Sequence, residues 1–281
     1  MKLVSLFLYF VVANRQKKQF QTIMKTIKVF LIITLVSFSA FAQDFSLYKK
    51  EVFVTNGDTL RYRILYPKNF DAAKKYPVVL FLHGRGESGN DNQKQLTHGA
   101  KMFLDENFRN QNEIITIFPQ CSEESYWANV EIESVQNKRF FTFVKGGKPT
   151  EAMSLLLSFT DKYFKNSFVD PTKIYVGGLS MGGMGTFEIL RRKPNTFAAA
   201  FAICGGDNVE NVKKYKNVPL WIFHGGLDDV VTPQFSYNIY RELKKLGYEP
   251  KFTVYLKANH NSWDSAFAEP ELFPWLFSHN K

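Results

Sequence analysis

Cysteine is nearly missing from this chain: 281 residues contain two, Cys121 and Cys204. That excludes a small disulfide-stapled scaffold, which needs several bridges. The count allows one bridge, although Cys204, within Ala-Phe-Ala-Ile-Cys-Gly-Gly, suits a buried thiol. The sequence also has no Lys/Arg block and no zinc-finger spacing, so its formal charge of +10 leaves no footprint for nucleic acid. Much of that charge is local: residues 1–42 hold six Lys/Arg and no acid, and the remaining 30 Lys/Arg face 26 Asp/Glu. No apolar run reaches the 18 or more residues of a membrane helix. Repeats, low-complexity tracts and Pro/Gly/Ser-rich linkers are missing too, which argues for one domain.

What is present is an ordinary globular composition, 45% hydrophobic and 22% charged, with 28 Phe, enough to bury a solid core. From Met24 the chain reads Met-Lys-Thr-Ile-Lys, then an apolar run from Val29 to Ala42 that closes Ser-Ala-Phe-Ala before Gln43. This is the form of an export signal, with cleavage expected after Ala42 and no following Cys to carry a lipid. Residues 1–42 are therefore read as a targeting segment with Met24 as an alternative start. The mature protein is expected to be periplasmic or secreted, without a stable membrane anchor.

Residues 43–281 read as an α/β domain. Glu51–Thr55 and Thr59–Tyr66 alternate across Asn56-Gly57-Asp58, a hairpin signal. Unbroken apolar runs follow at Val78–Leu82, Ile114–Phe118, Ile174–Val176, Ala199–Ile203, Leu220–Phe223 and Phe252–Leu256. Runs without alternation suit strands covered on both faces, as in a parallel sheet. Helices are expected near Gln95–Asn107, Thr150–Phe164, Gly182–Arg192, Pro233–Leu246 and Glu271–Phe277, with Thr150 and Thr232 as caps and Gly247 as a stop. The pattern predicts a mostly parallel twisted sheet with helices on both faces and an antiparallel N-terminal edge. The stretch 121–148 is too long for a βα connection and reads as a loop insertion. It carries Tyr126, Trp127, Phe140, Phe141 and Phe143 beside Lys138, Arg139, Lys145 and Lys148. As a rim over a cleft this set suits an aromatic or acidic substrate, but the weightier reading is that the aromatics pack the loop down.

Gly178-Leu179-Ser180-Met181-Gly182 is G-x-S-x-G between a predicted strand and a predicted helix, the setting of a nucleophile elbow. Serine needs a base, and the base needs an orienting acid. His260 lies after the last strand and is the candidate base; Asp228 or Asp229, after the preceding strand, is the candidate acid. The backbone N–H of Met181 should stabilise an oxyanion, with a second donor from the turn after Val78–Leu82, Arg85 first and Gly86 second. His83 and Glu87 in that turn read as loop anchors. Gln120, Trp127 and Trp263, close to strand ends or the base, are candidates to line the substrate cleft. No metal or cofactor is called for.

With these residues in view, the chain from about Tyr62 to Phe277 resembles the α/β-hydrolase superfamily, and within it the secreted bacterial carboxylesterases grouped with feruloyl and acetyl-xylan esterases and with phospholipase/carboxylesterase-like proteins. The carrying residues are Tyr76 to Glu87, Asp170 to Tyr175, Gly178 to Gly183, His224-Gly225-Gly226-Leu227-Asp228 and His260-Asn261-Ser262-Trp263. The resemblance favours Asp228 over Asp229, and implies a Ser-His-Asp esterase acting on a small-molecule or polysaccharide-linked ester, with acetyl or feruloyl groups on plant polysaccharide as the expected class. Many relatives have Gly before the catalytic His; here it is Asn259, which is expected to tolerate positive φ. A prolyl-oligopeptidase-like peptidase and a non-catalytic binding protein on the same scaffold are the alternatives. The sequence offers no hydrophobic lid helix, which disfavours a true lipase.

Overall fold

The computed structural model describes Gln21, residues 44–136 and residues 138–281. Apart from Gln21, the expected targeting segment, including Met24, lies outside the described residues. Among the described residues, no helix is long and apolar enough to cross a membrane.

Strands β1 (Lys49–Thr55) and β2 (Asp58–Leu65) pair antiparallel, with Thr55 opposite Asp58. Asn56 and Gly57 between them both have positive φ, 52° and 89°, the backbone of a two-residue hairpin turn whose twist matches its strands. The outer edge of β2 pairs antiparallel with β4 (Ile115–Gln120). From there the sheet is parallel through β3 (Tyr76–Leu82), β7 (Val169–Leu179), β8 (Ala199–Ile203), β9 (Leu220–Gly225) and β10 (Lys251–Tyr255). The spatial order is β1-β2-β4-β3-β7-β8-β9-β10.

Successive strand residues point to opposite faces, and here both faces are buried. Val78, Leu80 and Leu82 join one core with helix α2 (Glu151–Tyr163), helix α3 (Met181–Arg192) and helix α4 (Gln234–Lys245). Val79 and Phe81 join a second core with Leu96, Ala100, Phe103 and the C-terminal helices α5 (Trp263–Phe267) and α6 (Leu272–Phe277). This two-sided cover is why the strand runs lack polar alternation.

Local capping follows side-chain chemistry. Thr150 Oγ1 accepts from Met153 N at 3.2 Å to open α2. Thr232 is not the expected cap: Pro233 takes the N-cap position of α4 without a side-chain bond, and Thr232 lends only its carbonyl to Phe235 N, while Gly247, at φ 82°, closes that helix. Two larger expectations need correction too. The helix over Gln95–Asn107 is instead two 3-10 turns, Lys94–Leu96 and Ala100–Leu104, followed by the short helix α1 (Glu106–Gln111). Gly99 at φ 81° interrupts the run, and Asp105 Oδ1 caps α1 by accepting from Phe108 N at 2.8 Å. The stretch 121–148 is not an irregular loop: it contains an antiparallel hairpin, β5 (Val130–Val135) and β6 (Lys138–Phe143).

Candidate active site

Ser180 stands between the end of β7 and the first residue of α3 with φ 53° and ψ −117°, a conformation that is strained for any residue with a side chain. Its surroundings enforce it. A Cβ on Gly182 would lie 1.9 Å from the Leu82 carbonyl oxygen, and one on Gly178 would lie 2.3 Å from the Gly182 oxygen. Glycine at both positions lets β3, β7 and α3 converge beneath the serine.

Ser180 Oγ is 2.9 Å from His260 Nε2, and His260 Nδ1 is 2.8 Å from Asp228 Oδ2. A carboxylate accepts, so Nδ1 carries the hydrogen and Nε2 is free to accept from the serine hydroxyl. The second oxygen of Asp228 accepts from the N–H groups of Val230 (3.0 Å) and Val231 (2.9 Å). Burial acts to raise the Asp228 pKa; the hydrogen bonds from His224, His260 and Val231 overcome it and hold the carboxyl well below the usual carboxylate range. Asp229 is not part of this hydrogen-bond chain.

The sequence reading gave His224 no role. Fully buried, it sets Nε2 2.8 Å from the Val231 carbonyl and 3.3 Å from Asp228 Oδ2. Both are acceptors, so Nε2 carries a hydrogen; Nδ1 lies 2.7 Å from Ser236 Oγ. His224 therefore ties both ends of the acid's turn to the end of β9. The available signal was its place four residues before Asp228 on a buried strand.

Asn259 is corrected. Its φ is not positive; instead its Oδ1 accepts from His260 N at 2.6 Å and Asp229 N at 3.2 Å, joining the base's loop to the acid's. Cys204 and Cys121 are buried free thiols, and burial pushes both upward in pKa. Cys204 Sγ donates to the His260 carbonyl at 3.7 Å. Its closeness to Asp228 and His260, with donor atoms within 4.8 Å, follows from these hydrogen bonds.

The cleft over Ser180 has a volume of about 560 Å³ and is lined by the turn Gly84–Glu87, His98, Lys138, Arg139, Asp229, Val230, His260 and Trp263. Met181, as the first residue of α3, has no carbonyl one turn earlier in the helix to receive its N–H. Arg85 and Gly86 line the cleft. The Arg85 guanidinium turns away to donate to the carbonyls of Ser125 (2.7 Å) and Glu123 (2.5 Å). Trp263 borders the cleft edge-on to His260, with ring centroids 5.4 Å apart.

Gln120 and Trp127 do not line it. Gln120 is buried and binds Asn92 N, the Glu87 carbonyl and Asp91 Oδ1, which anchors the turn after β3. Trp127 is fully buried against the His83 ring and Gly185, below the cleft rather than in it. His83 anchors as expected: Nδ1 donates to the Gly84 carbonyl at 2.6 Å and Nε2 accepts from Cys121 N at 2.9 Å. Burial lowers its pKa to about 4 and keeps it neutral. Glu87 both anchors and faces the cleft, with Oε1 3.7 Å from His98 Nε2, and burial raises its carboxyl.

Comparison with known proteins places this geometry in context. The sequence profile described as Phospholipase/Carboxylesterase matches residues 70–271. The bifunctional acetylxylan esterase/xylanase XynS20E of Neocallimastix patriciarum is 29% identical over 189 residues, covering 66% of this chain and 23% of that protein. Dipeptidyl-peptidase 5 of Porphyromonas endodontalis is 26% identical over 180 residues, covering 63% of this chain and 24% of its own length. The chain thus spans about a quarter of the length of either relative. Among solved structures, a thermostable esterase superposes with a TM-score of 0.75 at 29% identity, covering 84% of this chain and 64% of that one.

Proposed function

The chain belongs to the phospholipase/carboxylesterase family of α/β-hydrolases, and from that premise we propose that it is a serine carboxylesterase in which Ser180, His260 and Asp228 carry the reaction. The observation behind this reading is the unbroken hydrogen-bond chain from Ser180 Oγ through His260 to Asp228, at 2.9 and 2.8 Å.

Ser180 Oγ attacks the ester carbonyl carbon as His260 Nε2 takes its proton, and Asp228 holds the imidazole and stabilises the imidazolium. The tetrahedral oxyanion is received by the N–H of Met181 and that of Arg85. His260 then returns the proton to the leaving alcohol, so that it departs neutral and leaves an acyl group on Ser180. Water attacks that acyl group with its proton passing to His260, and the acid leaves as Ser180 is restored. Trp263 bounds the substrate on the side of the base.

The acetylxylan esterase relative supports acetyl groups on polysaccharide as the substrate class, and feruloyl esters are tested beside them. The match to a dipeptidyl-peptidase keeps one second reading, a peptidase. Hydrolysis of p-nitrophenyl esters from acetyl to decanoyl, methyl ferulate, acetylated xylan and peptide p-nitroanilides separates these readings. Turnover of short acyl and xylan esters that is lost in Ser180→Ala and His260→Ala is expected. Activity surviving either substitution refutes the mechanism, and turnover confined to the anilides moves the assignment to a peptidase. Export rests on residues 1–42, and a mature N-terminus at Gln43, read by mass spectrometry, is the expected result.

A further inference from the structure

Two cations border the cleft that holds Ser180, with no ion-pair partner among the described residues. Lys138 and Arg139 open β6 and line the same cavity as Ser180 and His260. Neither has a carboxylate within 4.0 Å among the described residues, whereas Arg85, the third cation of the lining, is committed to two carbonyls. Side chains alternate along β6, so Arg139 shares a face with Phe141 and Phe143. That face is turned toward the body of the protein: Phe141 and Phe143 pack against Ala128, Met184 and Val231, and Phe143 meets Phe235 edge-on at 5.0 Å. Arg139 is thus on the inward face beside the turn that joins β5 to β6, and is exposed to solvent. Its charge is felt at Tyr126, whose ring also lies 5.9 Å from the Arg85 guanidinium.

The ribbon is fixed at its base. Asn208 Nδ2 donates to the Phe143 carbonyl at 2.9 Å, Arg191 to the Gly146 carbonyl at 2.8 Å and Arg192 to the Gly147 carbonyl at 3.1 Å. Both arginines are in turn held by the buried Glu188. These bonds hold the base of the arm whose turn end carries Arg139 to the cleft. On the other walls Glu87 lies beside His98, and Asp229 has no ion-pair partner among the described residues, so the lining sets three cations, Arg85, Lys138 and Arg139, against two carboxylates.

We propose that Arg139, assisted by Lys138, is a specificity determinant that selects esters borne on a carboxylate-bearing glycan, a uronate next to the acylated sugar being the group it binds. The guanidinium fork matches a carboxylate with two parallel hydrogen bonds, and a site open to solvent suits a substituent on a polymer that stays outside the cleft. This rests on the reading of Ser180 as the nucleophile of an esterase.

The test compares kcat/KM for acetylated xylo-oligosaccharides with and without a glucuronate branch, in the native protein, Arg139→Ala, Arg139→Lys, Lys138→Ala and the remote control Lys244→Ala. The ratio cancels any loss of folded enzyme. Expected is a roughly three- to tenfold preference for the acidic substrate at low ionic strength, shrinking as salt is raised. It should fall to about one in Arg139→Ala, be partly kept in Arg139→Lys, and be unchanged in Lys244→Ala. Equal rates on the two substrates in the native protein, or a preference that survives Arg139→Ala, overturns the proposal. Calorimetric binding of both oligosaccharides to Ser180→Ala separates the two readings. Charge-dependent binding without hydrolysis by the native protein would sink the esterase and, with it, selection among esters, leaving only carboxylate recognition by Arg139.

Discussion

Asp207 follows β8 in Cys204-Gly205-Gly206-Asp207 and is 8% exposed. Its Oδ1 accepts from Asn208 N at 2.7 Å and Asn211 Nδ2 at 2.8 Å, and its Oδ2 from the Tyr215 hydroxyl at 3.0 Å. Burial pushes its pKa up to about 6 from the ordinary 3.8; the three hydrogen bonds pull the other way without cancelling it, and nearby Glu188 adds to the rise. Because the folded value lies above the unfolded one, the stability is fully present below about 4 and is lost as pH rises through about 6. The shift of roughly two pKa units corresponds to about 3 kcal/mol at pH 8. Asp207→Asn removes that titration; the amide oxygen serves the Oδ1 partners, and the Tyr215 bond reverses, the amide N–H donating to the phenol oxygen. Urea unfolding of both proteins at pH 4 and pH 8 measures the effect. The variant should be more stable than the native protein by about 3 kcal/mol at pH 8 and close to it at pH 4. A variant that is no more stable at pH 8 would show that the ionised carboxylate is worth more to this network than its desolvation costs, and the reasoning would fail.

Two further perturbations probe the supports of the site. Glu188→Gln leaves the guanidinium of Arg191, 5% exposed, facing an amide where it had a bidentate carboxylate. Breaking such a buried pair costs roughly 3–5 kcal/mol, and a drop in the urea midpoint worth under 1 kcal/mol would contradict it. His224→Phe removes the N–H held by Asp228 Oδ2 and the Val231 carbonyl. A hydrogen bond to a charged group contributes roughly 1.5–3 kcal/mol, so kcat should fall about 10- to 100-fold. KM should barely move, since His224 is outside the cleft lining, with part of the rate recovered in His224→Gln. Equal loss in Phe and Gln, or a change confined to KM, would argue against a positioning role.

The parts of the fold that could be read from sequence are those where local geometry admits few answers. Asn56-Gly57 permits the positive φ pair of a tight hairpin, and runs such as Ala-Ala-Phe-Ala-Ile over β8 are tolerable only where both sheet faces are covered. Leu96, Ala100 and Phe103 recur at helical spacing, and all three are buried, yet the segment between β3 and β4 is not one helix. Two short 3-10 turns present the same residues to the core, and Gly99 at φ 81°, against Phe267 and Phe81, decides between the solutions. Periodicity reports which residues are buried; the glycine and the Asp105 cap report where the backbone must break.

The candidate site divides along the same line. Ser180 sits in a turn with a demanding backbone, and Asp228 and His260 follow the ends of β9 and β10, so flanking residues and chain order reveal them. Gln120 and Trp127 also sit near strand ends, but their direction depends on tertiary neighbours: Asn92 and the Glu87 turn claim the first, and His83 and Gly185 the second. Asn259 is legible as unusual and misleading in its cause, because a short amide can adopt positive φ or accept a backbone N–H, and here it accepts. Arg139 is the sharpest case. In sequence it is one of several basic residues among aromatics, and both faces of a two-stranded ribbon are equally open to it. Once Phe141 and Phe143 are known to pack against Met184 and Val231, alternation leaves Arg139 no face but the inner one, so the residue that would select substrate is placed by two phenylalanines further along its strand.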